Sequence, residues 1–153
     1  MTRLILASLL WSSFSLTAGA QVKIEISPQR LGKYEKLHAK VENSGSKPVT
    51  FCIEAGQTSP KGGGEIETTP SPFWVQRSNE GKWGTLIIGP DVGSSKFPEV
   101  LNPGKSEEFP FRLGGSGQMR LRLNYWDGAV PKLDCHAPPK GLKVVTSSVF
   151  TVE

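Results

Sequence analysis

Residues 119–126 read MRLRLNYW, and this stretch decides the fold that we expect. Its apolar residues Met119, Leu121, Leu123 and Tyr125 recur at every second position. A period of two is typical of a β-strand that buries one face and exposes the other. The stretch therefore predicts the longest strand of an all-β protein.

Shorter runs of the same alternation lie on both sides of this strand, and turn residues separate them. The chain has 17 Gly and 12 Pro, which cluster between the runs rather than within them. We find no helix of useful length, so the pattern predicts a two-layer antiparallel sandwich of about 7–8 strands, as each sheet must bury one face against the other. The predicted strands cover residues 22–27, 34–42, 48–55, 73–77, 82–88, 107–113, 119–126 and 143–152.

The connections follow from the same pattern. The turn sequence NSGS at 43–46 predicts a hairpin between the strands at 34–42 and 48–55. Residues 78–81 predict a second short turn, and LNPG at 101–104 predicts a tight turn with Pro and Gly at its centre. Residues 56–72, 89–94 and 127–141 are predicted to be loops.

The first 20 residues have the composition of a secretory signal peptide. A basic start at Arg3 precedes the apolar stretch 4–16, and Ala18-Gly19-Ala20 supplies small residues at the cleavage site. We therefore expect an exported protein, periplasmic or extracellular, whose residues 21–153 form one domain. Its two cysteines can then pair, because export removes the chain from the reducing cytosol.

Charge and hydropathy argue against several partners. The 18 Lys and Arg residues exceed the 14 Asp and Glu residues only slightly, and no long run of one sign occurs. We therefore expect no nucleic acid as partner and no membrane span, and we expect a monomer.

Residues 40–49, KVENSGSKPV, resemble the turn between the second and third strands of bacterial immunoglobulin-like and fibronectin-type-III-like modules. Residues 101–106, 109–111 and 117–121 resemble later strands of the same modules. Two departures are Met119, at a position where tyrosine is usual, and the absence of the inter-sheet cysteine pair of antibody domains. The resemblance implies an immunoglobulin-like β-sandwich that binds, braces or spaces other domains.

In an immunoglobulin-like strand order, the loop at 127–141 can fold over the outer face of the strand at 48–55. Phe51 and Ile53 are expected to point inward, so Cys52 points outward toward that loop. We therefore predict a disulfide between Cys52 and Cys135, with a redox or metal-binding thiol as the alternative.

Chemistry-bearing residues are few. His38, His136, Cys52, Cys135 and Met119 are by type the ligands of a blue-copper site, but their spacing does not fit one, so we expect no metal and no cofactor. No nucleophile motif occurs, so we expect no catalytic residues and no enzyme.

Two features go beyond what packing requires. Arg112, Arg120 and Arg122 should lie on outer strand faces, where they form either a basic binding patch or an ordinary solvated surface. Of the tryptophans at 74, 83 and 126, one or two should belong to the core, and any that is exposed is a candidate anchor. Trp126, beside the loop at 127–141, is the first choice.

These observations favour a non-enzymatic binding or accessory module that recognises a protein or glycan partner. Three alternatives remain open at this point. They are a secreted proteinase inhibitor that uses a long loop, a structural subunit of an envelope assembly that pairs through an edge strand, and a copper-binding protein.

Overall fold

The computed structural model describes residues 21–54, 71–85, 95–137 and 139–153. The predicted signal peptide, most of the predicted loop at 56–72, the loop at 89–94 and the end of the strand at 82–88 lie outside these residues. The described ranges contain strands and no helix. The strands are β1 Val22–Ser27, β2 Arg30–Leu31, β3 Lys36–Asn43, β4 Val49–Glu54, β5 Phe73–Asn79, β6 Lys82–Thr85, β7 Lys96–Leu101, β8 Ser106–Arg112, β9 Gly117–Asp127, β10 Lys143–Thr146 and β11 Phe150–Val152.

The strands form two sheets. The smaller sheet has the order β1-β3-β8, and the larger one follows the path β2-β11-β9-β4-β7. Along one edge of β9, β4 pairs with residues 125–127 and β5 pairs with residues 119–123. Strands β10 and β11 pair with the other edge of β9. All pairs are antiparallel except β2 with β11. The all-β sandwich expected from the alternation is confirmed.

One core lies between the two sheets. Alternate residues of β1, β3, β4 and β9 are buried, which is the face that the sequence pattern predicts. Phe109 packs edge to face against the rings of Phe51 and Phe73, which belong to the opposite sheet. The largest fully buried side chains include Phe51, Phe150, Leu37, Leu113, Met119, Leu121 and Leu123.

The predicted hairpin of β3 and β4 is wrong, because the two strands belong to different sheets. The connection arches across the sandwich, and Asn43 is buried beneath it. The Asn43 amide nitrogen donates to the carbonyls of Lys47 and Leu101, each at 2.9 Å, and its oxygen accepts the Gly45 N–H at 3.0 Å. A buried amide with these partners stabilises the arch rather than a hairpin turn.

The same residue joins this arch to the next one. The tight turn predicted at 101–104 is present, with Lys105 N–H donating to the Asn102 carbonyl and Gly104 at φ +71°. Main-chain groups of Asn43 bond to Lys105 and Gly104. The two crossings between the sheets therefore support each other at one end of the sandwich.

The single strand predicted at 143–152 is interrupted. Thr146 lies opposite Arg122 and Phe150 lies opposite Met119, so three residues of this segment face two residues of β9. The extra residue makes a bulge and shifts the alternation by one position. Ser147 fills the gap, because its main-chain N–H donates to the Leu121 carbonyl and its hydroxyl accepts the Leu121 N–H, both at 2.9 Å.

Candidate functional site

A disulfide joins Cys52 of β4 to Cys135, as the sequence predicts. The two residues are 83 positions apart in the sequence. Phe51 and Ile53 are buried in the core, so Cys52 projects from the outer face of the larger sheet. The bond holds residues 127–141, which we call the tethered loop, against that outer face.

Hydrogen bonds from the sheet also hold the tethered loop. The Thr50 hydroxyl donates to the Gly128 carbonyl at 2.7 Å and accepts the Val130 N–H at 2.9 Å. Thr50 is fully buried, although its side chain is on the outer face of β4. Leu133 of the loop is also buried, so the loop packs onto the sheet rather than standing away from it.

The loop is further shaped by Asp134. Its carboxylate accepts the backbone N–H groups of His136 at 2.9 Å and Ala137 at 3.2 Å. The His136 N–H, followed by that of Ala137, lowers the pKa of Asp134, because these bonds favour the charged form. At the base of the loop, Lys143 forms an ion pair with Asp127 at 2.5 Å.

Trp126 does not have the exposed position that its proposed role as an anchor requires. Its exposed fraction is 7%, and its indole N–H donates to the Pro139 carbonyl at 3.2 Å. Trp126 does point outward from β9, but the tethered loop covers it. It therefore packs the loop onto the sheet and is not available to a partner.

The tethered loop covers only the half of this sheet face that contains Thr50 and Trp126. The other half is not covered by it. We call it the open face. Its residues are the exposed Trp74, the partly buried Trp83, Arg120, Arg122 and Asn124, and the buried Gln76. Trp74 is 47% exposed and lies directly opposite Arg122 in the pairing of β5 with β9. Gln76 lies opposite Arg120 in the same ladder. Directly opposed residues of an antiparallel pair have side chains in contact range, so these four form a continuous patch.

The turn between β5 and β6 positions the second tryptophan. Glu80 and Gly81 both have positive φ, at 51° and 80°, which is the backbone of a tight two-residue hairpin turn. This turn brings Trp83 opposite Ser78 and hence onto the outer face. The Arg120 guanidinium carbon is 4.3 Å from the centre of the Trp83 ring, within cation–π range.

Neutral groups hold both arginines of the open face. Arg120 donates from Nε to Gln76 Oε1 at 2.9 Å, and Arg122 donates from Nε to Asn124 Oδ1 at 3.3 Å. Neither forms an ion pair within the described part of the chain. Their positive charge is therefore oriented by neighbours but not neutralised by them.

Arg112 does not join this patch, because it belongs to β8 in the smaller sheet. Its guanidinium donates to the Tyr34 carbonyl at 2.6 Å. The sequence places all three arginines on outer strand faces, but sheet membership separates Arg112 from the other two. Gln76 was missed in the sequence analysis, although its spacing from Trp74 predicts that both point the same way.

The outer face of the smaller sheet has a different character. We call it the charged face, and its residues are Lys23, Glu25, His38, Lys40, Glu42 and Glu108. Glu25 pairs with Lys23 at 2.6 Å and with Lys40 at 3.0 Å, and His38 pairs with Glu108. The hydrogen bond from Lys23, and then that from Lys40, lowers the pKa of Glu25 to about 2.

The five residues with blue-copper chemistry are dispersed in the structure. Both cysteines are in the disulfide, and Met119 is buried in the core. His38 is on the charged face, whereas His136 is in the tethered loop. Within the described ranges, no three His, Cys, Asp or Glu side chains are grouped as metal ligands would be.

Comparisons with known proteins give no family. No protein-family model matches the sequence, and no curated protein matches it. A solved structure, the ASH/PapD-like domain of human CEP192 (PapD-like domain 7), is similar over 99% of this chain and 96% of that chain, with 12% sequence identity and a TM-score of 0.35. As for membrane insertion, the described ranges contain no candidate for a membrane-spanning helix.

Proposed function

We propose that this chain is an exported, non-enzymatic binding module of the immunoglobulin-like type, which recognises a protein or glycan partner through the open face. The observation that carries the proposal is the combination of the exposed Trp74 ring with Arg120 and Arg122, which form no ion pair with any described residue. Exposed aromatic rings and arginines are the residue types that dominate recognition surfaces.

The structure of the patch supports this role over that of an ordinary solvated surface. Arg120 and Arg122 are each held by a hydrogen bond through Nε. An arginine that is already oriented loses less conformational entropy when a ligand binds. The covered half of the sheet keeps the surrounding backbone in place, because a disulfide crosses it.

The alternatives from the sequence stay predictions. Inhibition of a proteinase by the tethered loop would require exposed loop residues. Lys132, Asp134 and His136 are exposed, although Leu133 is buried against the sheet. Strand addition in an envelope assembly would use β1. This strand is an edge strand of the smaller sheet, where it pairs with β3 on one side.

The test is an affinity pull-down from envelope and culture fractions, with the disulfide-intact protein as bait. We expect the wild-type bait to recover a partner, and the Trp74→Ala bait to recover much less of it. Tyr34→Ala is the matched control, because Tyr34 is 59% exposed but outside the open face. A partner retained equally by all three baits would place the binding site elsewhere.

A further inference from the structure

We infer that the ligand of the open face is an acidic carbohydrate, a sugar ring that carries a carboxylate or sulfate group. This inference rests on the proposed function and names the class of its ligand. The ring would stack on Trp74 while its anionic group pairs with Arg122, with Arg120 available to a neighbouring unit of the same chain.

Trp74 lies beside Arg122 on the open face. The two residues are directly opposed in the ladder of β5 and β9, so their side chains leave the sheet side by side. One ring of a sugar presents an apolar C–H face and a substituent at its edge. An indole next to a guanidinium group matches these two features, since the aromatic ring contacts the C–H face and the fork of N–H donors pairs with the anion.

Charge also distinguishes the open face. Its six residues include two arginines and no acidic side chain, while the other basic residues of β5, β6 and β10 lie on the opposite side of their strands. Nε of each open-face arginine bonds to a neutral side-chain oxygen, and within the described part of the chain no ion pair engages either guanidinium group. A neutral ligand would leave these two charges uncompensated, so the patch favours an anion.

The open face is the side-chain surface of a sheet, in which Trp74 is exposed and Asn124 is partly buried. Protein partners usually insert anchor residues into pockets. Two concavities in the described part of the chain lie near β1, lined in part by Ile26 and Glu25, and neither includes a tryptophan or arginine of the open face. A flat aromatic and cationic surface fits a ligand that binds by stacking and pairing.

The experiment is titration calorimetry of the purified, disulfide-intact protein with three polymers at physiological salt. Polygalacturonate supplies carboxylates, dextran sulfate supplies sulfates, and dextran is neutral. We expect binding to at least one acidic polymer and none to dextran. The acidic polymer that binds more tightly identifies the anionic group.

Variants separate the open face from general attraction of a basic protein to a polyanion. We expect Trp74→Ala and Arg122→Gln each to weaken binding about tenfold or more, because each removes one of the two contacts. Arg112→Gln and Tyr34→Ala should stay within about twofold of the wild type, since they change an arginine and an aromatic residue that lie outside the open face.

Three results would overturn the inference. They are no binding to either acidic polymer, an equal loss in face and control variants, or tighter binding of oligothymidylate than of both polysaccharides. The last result would indicate a single-stranded nucleic acid, which also stacks on aromatic rings. If the pull-down still shows a partner that depends on Trp74, the proposed function stands and only the ligand class is wrong.

Discussion

Trp126 and Trp74 lie on the same outer face of the larger sheet, yet one is 7% exposed and the other 47%. Both side chains point outward from strands whose residues alternate between the core and the surface, so this alternation does not distinguish the two tryptophans. The difference is the tethered loop, which the disulfide holds over Trp126 and which does not extend over Trp74. The covering of one ring and the exposure of the other therefore depend on a loop that a long-range disulfide and hydrogen bonds hold in place.

The two halves also differ in how they satisfy polar groups. Under the loop, Thr50 bonds to loop main chain in both directions. On the open face, Arg120 and Arg122 bond to neutral amides and keep their net charge. The covered half packs the loop onto the sheet, and the open half has an exposed aromatic ring and two arginines without an ion pair to any described residue.

Removal of the disulfide should have the largest effect on the difference between the covered and the open half of this sheet face. Cys52→Ser combined with Cys135→Ser should lower the free energy of unfolding by about 4 kcal/mol, because the bond closes a loop with a sequence separation of 83. Urea unfolding measures the loss. In the native double variant, the Trp126 indole N–H should exchange faster with solvent by NMR. Unchanged exchange would mean that the hydrogen bonds alone keep the loop in place.

The two tryptophans can be compared directly. Trp126→Ala should cost about 3 kcal/mol of unfolding free energy, because it leaves a cavity between the sheet and the loop. Trp74→Ala should change it by less than about 0.5 kcal/mol, since the ring is half exposed. Thermal or urea unfolding of both variants tests this. Equal effects would show that Trp74 is a structural residue as well.

A smaller effect is expected from the hydroxyl under the loop. Thr50→Val keeps the side-chain shape but leaves the Gly128 carbonyl and the Val130 N–H without their partner, which should cost about 1–2 kcal/mol. Thr146→Val is the matched control, because Thr146 is an exposed threonine of β10. A similar change in the two variants would argue against a role of Thr50 in holding the loop.

The smallest effect concerns the charged face on the opposite sheet. The pKa of Glu25, about 2, is below its ordinary value of 4.5, so its contribution to stability is present above pH 4.5 and is lost as the pH falls toward 2. The pairs are exposed, so the change should be slight. A carboxyl NMR titration should give a midpoint near 2, and Lys23→Met should raise it. A midpoint near 4.5 in the wild type would contradict the ion pairs.

The sequence predicts the strands and the core well, because alternation is a local property of the chain. Met119, Leu121 and Phe51 were expected inside and are fully buried. The disulfide was also predictable, since two cysteines in a chain expected to be exported have one possible pairing. These features need little knowledge of how distant segments meet.

The predictions that are wrong concern features that depend on contacts between distant segments. The hairpin of β3 and β4 was expected because the turn sequence permits one, but the buried amide of Asn43 bonds to Leu101, which is 58 residues away. The shift in side-chain alternation after Thr146 depends on the hydrogen bond from the Leu121 N–H to the Ser147 hydroxyl. Neither contact leaves a local signature in the sequence.

The candidate site was predictable in part for the same reason. Alternation correctly places Arg120 and Arg122 on an outer face, but it does not say that Arg112 is in the other sheet. It also does not reveal that Pro139 accepts a bond from Trp126 and so covers it. Exposure of an outward-pointing side chain depends on loops that pack over it.

The pairing of β2 with β11 has a mechanical consequence. These two strands run parallel, and the carbonyls of Gln29 and Leu31 accept the N–H groups of Thr151 and Glu153, each at 3.0 Å. Tension that pulls β2 and β11 in opposite directions along their axes would load these bonds in shear, all together rather than one after another. The pair would then resist stretching of the domain through both hydrogen bonds acting at the same time.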